Sequence, residues 1–323
     1  MGGYERRTDQ RSGVGGLDCP SGRVPRPGHP GGQGVGGRGS GVGYPSRVPF
    51  SADPLWRDRT YLREDQYRSD VNLRGRQSIY EFRTPRLDLA RTALDLAFLD
   101  RAGLAGDERV VDVGCGNGRY IAALAARGHA GDVVALDLSA GMLQGLEPPR
   151  GGGSGTVHRC VADAAALGLR TACAGVTIAA HMLYHVADPR AAVRELRRVT
   201  QPAGRVVVVL NHHRHLAELR ALFAEAAGDS PDDWGSPESV TLDDGAGLLG
   251  EVFSTVERTD LPGQLRVSDP AVLVRYGMSV PHRSGATSEH PGFAATVERI
   301  ASERIRRDGA FVVTAHPGVL ICR

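Results

Sequence analysis

The residues best suited to chemistry lie in Val110-Val111-Asp112-Val113-Gly114-Cys115-Gly116-Asn117-Gly118-Arg119-Tyr120. A strand-like apolar run delivers a turn whose glycines let backbone amides approach a ligand closely at the start of a helix. Glycines alone are a weak signal. A dinucleotide site reads GxGxxG, whereas this turn reads DxGxGxG, with Asp112 two residues ahead of the first glycine. A carboxylate there suits a ligand with a positive ammonium group better than a pyrophosphate.

Asp137 stands 23 residues after Gly114, at the end of a second apolar run. An acid at such a strand end can accept hydrogen bonds from two vicinal ribose hydroxyls. Alone, it is equally well read as a turn residue or helix cap. Asp163 follows a third run, Val157–Val161, and can accept from an adenine amino group or cap the Ala-rich turn behind it. Three acids at the carboxyl ends of three consecutive strands are harder to dismiss, because in an open α/β sheet those ends face the ligand crevice. The amino acid moiety of S-adenosylmethionine carries an ammonium group of the kind that suits Asp112, and the comparison with a dinucleotide favours it.

The elements that must position these acids are βα units. Strand Val110–Val113 is followed by helix Tyr120–Ala126, strand Val133–Leu136 by a helix opening at Ser139–Gly145, and strands are also expected at Val157–Val161, Val176–Ala180 and Val206–Leu210. Asp188-Pro189 starts a helix well, with Asp as N-cap and Pro in the first turn, and Pro202 and Gly204 turn the chain into the fifth strand. Alternation of this kind argues for a parallel sheet. Tyr61, Leu62, Tyr67, Val71, Leu73, Ile79, Tyr80 and Phe82 recur on helical spacing, and a second amphipathic helix follows Pro85. Beyond residue 213, helices are expected at His215–Ala227, Pro270–Gly277 and Phe293–Arg307. Strand is expected within Val256–Val267, and at Phe311–Thr314 and Val319–Cys322 on either side of Pro317-Gly318.

Composition sets bounds on function. With 41% hydrophobic and 24% charged residues and a net charge of +2, the chain of 323 residues is ordinary globular protein, with no field arguing for nucleic acid or an acidic membrane. All 39 basic residues are arginine. The first 50 residues hold 15 Gly and 6 Pro, too little apolar surface to offset chain entropy, so disorder is expected there. Cys19, Cys115, Cys160, Cys173 and Cys322 form no CxxC pair, which argues against a disulfide framework or a zinc site. With no signal-type or membrane-spanning apolar stretch, a cytoplasmic protein is expected.

Taken together, these residues resemble the methyltransferase type 11 group of class I S-adenosylmethionine-dependent methyltransferases. DVGCGNG (Asp112–Gly118) is similar to the first motif of that family, Ala135-Leu136-Asp137-Leu138-Ser139 with Met142-Leu143 to the second, and Ala162-Asp163-Ala164 to the third. The most specific stretch is His181-Met182-Leu183-Tyr184-His185-Val186-Ala187-Asp188-Pro189, continuing through Glu195–Val199 to Pro202-Ala203-Gly204. The likeness covers about 105–213; it departs at Thr200-Gln201, in an outer turn where relatives carry a Leu-Lys type pair. The resemblance implies a Rossmann-like α/β fold with a seven-stranded, mostly parallel sheet and helices on both faces. It further implies that Asp112, Gly114, Cys115 and Gly116 hold the methionine end, and that Asp137 takes the ribose while Leu138 and Met142 pack on adenine. Asp163 and Ala164 would read the adenine edge, His181 would lie beside the sulfonium, and Tyr80 would cover the cofactor from the N-terminal helices.

His185 falls on an element where the family more often uses it for structural hydrogen bonding than as a base. The run Asn211-His212-His213-Arg214-His215 could suggest metal, but no acidic ligand pattern accompanies it in sequence, so no metal is expected. Asn211 reads as a cap for the next helix. His185, His212 and His213 are candidates to face the acceptor, and no residue is assigned a catalytic role. The expected organisation is a leader over 1–52 and one domain over 53–323. Within the domain, a helical cap would span 53–104, a cofactor-binding core 105–213, a substrate-covering insertion 214–305 and a terminal strand 306–323. The expected activity is methyl transfer to a small organic acceptor of specialised metabolism. The alternatives are an RNA or protein methyltransferase, although the lack of an NPPY-like motif after the fourth strand argues against base amino-group methylation, and an NAD-dependent oxidoreductase, disfavoured by DxGxGxG. Removal of residues 1–50 is expected to leave the melting temperature and cofactor binding unchanged; aggregation or a lower melting temperature in differential scanning fluorimetry would contradict that reading.

Overall fold

Val110, Val111, Asp112 and Val113 are all buried, so this strand has no solvent face. That is the signature of a parallel strand in mid-sheet with helices on both sides. The computed structural model describes residues 55–98, 106–147, 155–231, 234, 240–281 and 291–323; the leader read over 1–52 and the Gly151–Gly153 loop lie outside these residues.

In chain order the elements are α1 (Arg59–Tyr61), α2 (Val71–Gln77), β1 (Arg83–Thr84), α3 (Leu89–Phe98), β2 (Val110–Val113), α4 (Arg119–Ala126), β3 (Val133–Asp137), α5 (Ala140–Gln144), β4 (Val157–Val161), β5 (Ala174–Ala180) and α6 (Pro189–Val199). There follow β6 (Thr200–Asn211), α7 (Ala217–Ala227), α8 (Leu242–Gly250), β7 (Val256–Asp260), β8 (Gly263–Val267), α9 (Pro270–Met278), α10 (Phe293–Asp308), β9 (Phe311–Ala315) and β10 (Pro317–Cys322). The main sheet has seven strands in the order β4-β3-β2-β5-β6-β10-β7. Its first five strands pair in parallel, and β10 runs antiparallel to both β6 and β7. This is the Rossmann-like sheet that the motifs imply. The order reverses between β2 and β5, which opens a crevice at their carboxyl ends.

Side-chain alternation assigns the two faces. Val207, Val209, Val319 and Ile321 join residues of α3, α4 and α5 in one buried cluster. On the other face, α6 packs on β5 and β6, and α8 packs on β6, β7 and β10. A side chain at Gly318 would drive its Cβ to 2.3 Å from Leu242 Cδ2, so the close seat of α8 requires glycine there. Asp188 caps α6 by accepting the Ala191 N–H at 2.9 Å, with Pro189 in the first turn, as its sequence indicates.

A second layer covers the crevice. It is built on a three-stranded antiparallel sheet, β1-β8-β9, against which α7, α9 and α10 pack around Phe223, Trp234, Leu273, Phe293 and Val297. The N-terminal cap and the later insertion are therefore not separate covers, because β1 from the first pairs with β8 from the second. The segment 53–104 is not purely helical, and the segment 214–305 is not purely an insertion, since β7 belongs to the main sheet. The terminal strand divides at His316 rather than at Pro317-Gly318: β9 lies in the cover and β10 in the main sheet. Pro317 opens β10, a strand position that tolerates a missing N–H. Gln201 to Gly204 form an irregularity within β6, where the register against β5 moves from Thr200–Ala174 to Arg205–Val176. Asn211 ends β6 and caps nothing; α7 begins after Leu216, whose φ of 58° breaks the chain direction.

Leu124 of α4 is 1% exposed within the face that carries β2 and β3. Truncation to Leu124→Ala is expected to cost ~2–5 kcal/mol from lost burial and a residual cavity, measured by urea unfolding.

Candidate active site

The turn after β2 is held from both ends. Gly114 and Cys115 donate their N–H groups to Leu136 O at 2.8 and 2.9 Å, tying the turn to β3. Gly114, Gly116 and Gly118 have φ of 69°, 53° and 77°, a conformation costly to any side chain. A Cβ on Gly114 would also stand 2.8 Å from Met182 Cβ, and one on Gly118 would stand 2.6 Å from Leu146 Cδ2. The glycines thus serve both the turn and its packing.

Asp137 at the end of β3 accepts the Gly116 N–H at 2.9 Å through Oδ2 and the Ser139 N–H at 2.8 Å through Oδ1. Burial pushes its carboxyl up, and the backbone N–H groups oppose that. Asp163 accepts the Ala165 N–H at 2.9 Å and meets Arg59 Nη2, also at 2.9 Å. Asp112 is 1% exposed, and its Oδ2 has no hydrogen-bond partner. Burial, and secondly the charge of Asp137, push the Asp112 carboxyl up to about 7.

These strand ends open on a cavity of ≈ 510 Å³. Gly114, Cys115, Gly116, Asp137, Leu138, Met142, Asp163, Ala164 and His181 line it together, whereas Asp112 lies behind the turn. The cover layer closes the cavity with Trp56, Tyr67, Leu73, Tyr80, Phe223 and Tyr276. Leu73 of α2 reaches the turn itself, within 3.2 Å of where a Cβ on Gly116 would lie. His181 holds a φ of 55°, unusual for a side-chain-bearing residue and common at functional positions. Its N–H bonds Val209 O at 2.9 Å, and burial, reinforced by Arg119, holds its ring down to about 4.

Two histidine–tyrosine pairs stand in the walls. His185 Nδ1 lies 3.0 Å from Trp56 O and Nε2 lies 2.9 Å from Tyr67 Oη, with the ring stacked on Trp56. Both ring nitrogens are engaged, and burial holds the ring down to about 4, the Trp56 carbonyl opposing it. His185 is placed as a hydrogen-bonding strut. Tyr80 Oη lies 2.9 Å from His215 Nε2, and the two rings stack. That engagement turns Tyr80 toward His215. It is Tyr67 that approaches the expected ribose site, its carbonyl accepting Ser139 Oγ–H at 2.7 Å.

His212 and His213 do not line the cavity, contrary to their candidacy for the acceptor. His212 stacks on His316 with ring centroids 4.4 Å apart, and His213 bonds Asp243 Oδ2 at 2.9 Å on the exposed side of α8. His212, His213 and Asp243 are close enough together to be a candidate cation site, but Arg258 Nη2, 3.3 Å from Asp243 Oδ1, already supplies a positive charge there. Tyr67, Arg76, Tyr276 and His215 were not distinguished in the sequence. Tyr67 had only its place in the cap's apolar series, and His215 only its place in the histidine run.

The buried, unpartnered Asp112 oxygen, the glycine turn and the strand-end acids form a donor set that fits S-adenosylmethionine. A sequence model described as "Methyltransferase domain" matches residues 111–208. Demethylmenaquinone methyltransferase of Renibacterium salmoninarum is 32% identical over 127 residues, covering 39% of this chain and 51% of that protein. The O-methyltransferase cnsE of Penicillium expansum is 29% identical over 178 residues, covering 52% of this chain and 60% of that one. The chain thus spans about half the length of the curated relatives it matches. A solved protein of Anabaena variabilis, described as a methyltransferase from an antibiotic biosynthesis pathway, superposes with a TM-score of 0.53 at 17% identity, over 72% of this chain and 96% of that one. That likeness concerns the fold. The methyltransferase model thus matches the segment from β2 through most of β6, on a Rossmann-like sheet.

Proposed function

We propose that this protein transfers a methyl group from S-adenosylmethionine to a small organic acceptor of specialised metabolism. The observation that carries the reading is the set of acids at the carboxyl ends of β2, β3 and β4: Asp112 behind the glycine turn, Asp137 bracing it through Gly116, and Asp163 in the wall beside it. Beneath the cover they open on a cavity of ≈ 510 Å³, within the range for a small-molecule site. S-adenosylmethionine, when bound, supplies a methyl group made electrophilic by a positive sulfur. Asp112 would face its ammonium group through the turn, and Asp137 would exchange backbone partners for ribose hydroxyls. Leu138 and Met142 would pack on adenine, with Asp163 at its amino edge. His181, uncharged at neutral pH, can stand beside a positive sulfur without repelling it. The cover excludes water and aligns the acceptor, which is the main contribution required of the protein. Enclosure by aromatic side chains favours a small acceptor over RNA or protein. Among the described residues no helix is long and apolar enough to cross a membrane, and a cytoplasmic location is part of the proposal.

S-adenosylhomocysteine should raise the melting temperature saturably, and a shift with NAD instead would overturn the reading. The Asp112 carboxyl, near 7 when folded, lies above its ordinary value of 3.8. The penalty for ionising it in the fold is therefore absent below about 3.8, grows as pH rises from there to about 7, and is constant above that. Asp112→Asn is expected to raise the melting temperature of ligand-free protein at pH ~8 and leave it unchanged at pH ~4, while weakening S-adenosylhomocysteine binding at the higher pH. Equal melting temperatures at both pH values would show that the carboxyl titrates normally.

Asp137→Ala should weaken cofactor binding by ~2–4 kcal/mol in calorimetry, since hydrogen bonds to charged groups are worth ~1.5–3 each. Unchanged affinity in a folded variant would reduce Asp137 to a brace for Gly116 and Ser139.

A further inference from the structure

Charge is divided unevenly across the cavity. The carboxylates that line it are Asp137, Asp163 and Asp188, and all are engaged at strand or helix ends: on Gly116 and Ser139, on Ala165 and Arg59, and on Ala191. Arg76, Arg83 and Arg119 line the same cavity, and none has a carboxylate partner among the described residues. Arg76 gives Nη1 to Ser279 O at 2.7 Å and lies over the rings of Trp56 and Tyr67 at 5.8 and 5.3 Å. Arg83 gives its terminal nitrogens to Ala315 O and Leu261 O at 3.2 and 2.6 Å. Carbonyl oxygens orient these guanidinium groups without neutralising them.

The two histidine–tyrosine pairs have opposite polarity. The Trp56 carbonyl beside His185 Nδ1 can only accept, so the proton of that neutral ring is on Nδ1 and Nε2 accepts from Tyr67. At His215 the roles invert. The His316 N–H donates to its Nδ1 at 2.8 Å, and burial holds the ring neutral, so the single proton is on Nε2 and is donated to Tyr80 Oη. Tyr80 therefore uses oxygen lone-pair density toward His215 and retains its own O–H to donate.

We infer, on the proposed methyl-transfer reading, that the acceptor binds as an oxyanion — a phenolate, enolate or carboxylate — taking a hydrogen bond from the Tyr80 hydroxyl and its counter-charge from Arg76, Arg83 and Arg119. His215 is the positioning residue that makes Tyr80 a donor. The oxyanion's lone pair forms the bond to the methyl carbon, and the carbon–sulfur bond breaks with its electron pair staying on sulfur. No proton has to be removed in the step. The burial that suppresses the basicity of His181 and His185 is then no handicap. A protonated amine beside Tyr80 would meet the like charges of Arg76, Arg83 and Arg119, which is unfavourable.

The test uses the full chain saturated with S-adenosylhomocysteine, saturation being checked first by thermal shift, with 4-nitrophenol as the probe and benzylamine as a cationic control of similar size. At a pH where the free probe is mostly neutral, its visible phenolate band should appear on binding, and benzylamine should not bind. Tyr80→Phe should weaken probe binding roughly tenfold or more, the loss expected for a hydrogen bond to a charged group, with S-adenosylhomocysteine affinity held within about twofold. If Tyr80→Phe does not fold, Arg76→Gln carries the same measurement. Nitrogen-15 spectra should show His215 protonated at Nε2 and His185 at Nδ1. Binding of the probe in its neutral form, equal binding of benzylamine, no binding of the probe to the saturated protein, or full affinity in Tyr80→Phe would each overturn the inference. Failure of S-adenosylhomocysteine itself to bind would overturn the methyltransferase reading, and the inference with it.

Discussion

A buried carboxylate without a complete set of partners is the constraint around which this structure is arranged. Asp112 lies within a strand that has no solvent face, and one of its oxygens meets no donor. Desolvation of such a group is expensive in any folded state. The expense is tolerable because the sheet around it is closed on both sides by apolar packing, with Val110, Val111, Val176 and Ile178 fully buried. Asp137 is better provided for, since its two oxygens hold Gly116 and Ser139. The acid that orders the turn and the acid whose Oδ2 meets no donor are thus neighbours, and the charge of Asp137 raises the proton affinity of Asp112.

The cover depends on the same sheet. It is joined to the main sheet at tight passages: β7 to β8 through Leu261 and Pro262, and β9 to β10 through His316. Arg83 reinforces these passages, because its guanidinium bonds Leu261 O and Ala315 O, at the start of one and the threshold of the other. Segments far apart in sequence, Trp56 to Tyr80 and Phe223 to Val280, therefore close the cavity as one layer. An acceptor bound there would be ringed by residues whose relative positions are held by sheet pairing rather than by loops.

Histidine chemistry in this protein is decided by burial and by the partner of each ring nitrogen. Burial pushes His181, His185 and His215 toward the neutral form, and a backbone carbonyl or N–H then selects the tautomer of the last two. Two outwardly similar histidine–tyrosine contacts consequently present opposite hydrogen-bonding faces to one cavity.

Local signals carried the core of the fold. The period of apolar residues from Val110 to Leu210, with Asp188-Pro189 and the glycine turn between, specified parallel βα units because each is a short-range pattern of burial, capping and backbone conformation. The three acids were legible for the same reason: a strand end is a local event, and in a parallel sheet all such ends fall on one edge. The cover was not legible, because β1 is two residues long and pairs with a strand some 180 positions away, a partnership no local pattern encodes. Tertiary structure alone separated His215 from its neighbours His212 and His213. Consecutive residues after a strand end point in different directions, so one side chain meets Tyr80 in the cavity wall while the other two face Asp243 at the surface. The sequence determined where the three strand-end acids must lie, and the pairing of distant strands decided which aromatic, histidine and arginine side chains would face them.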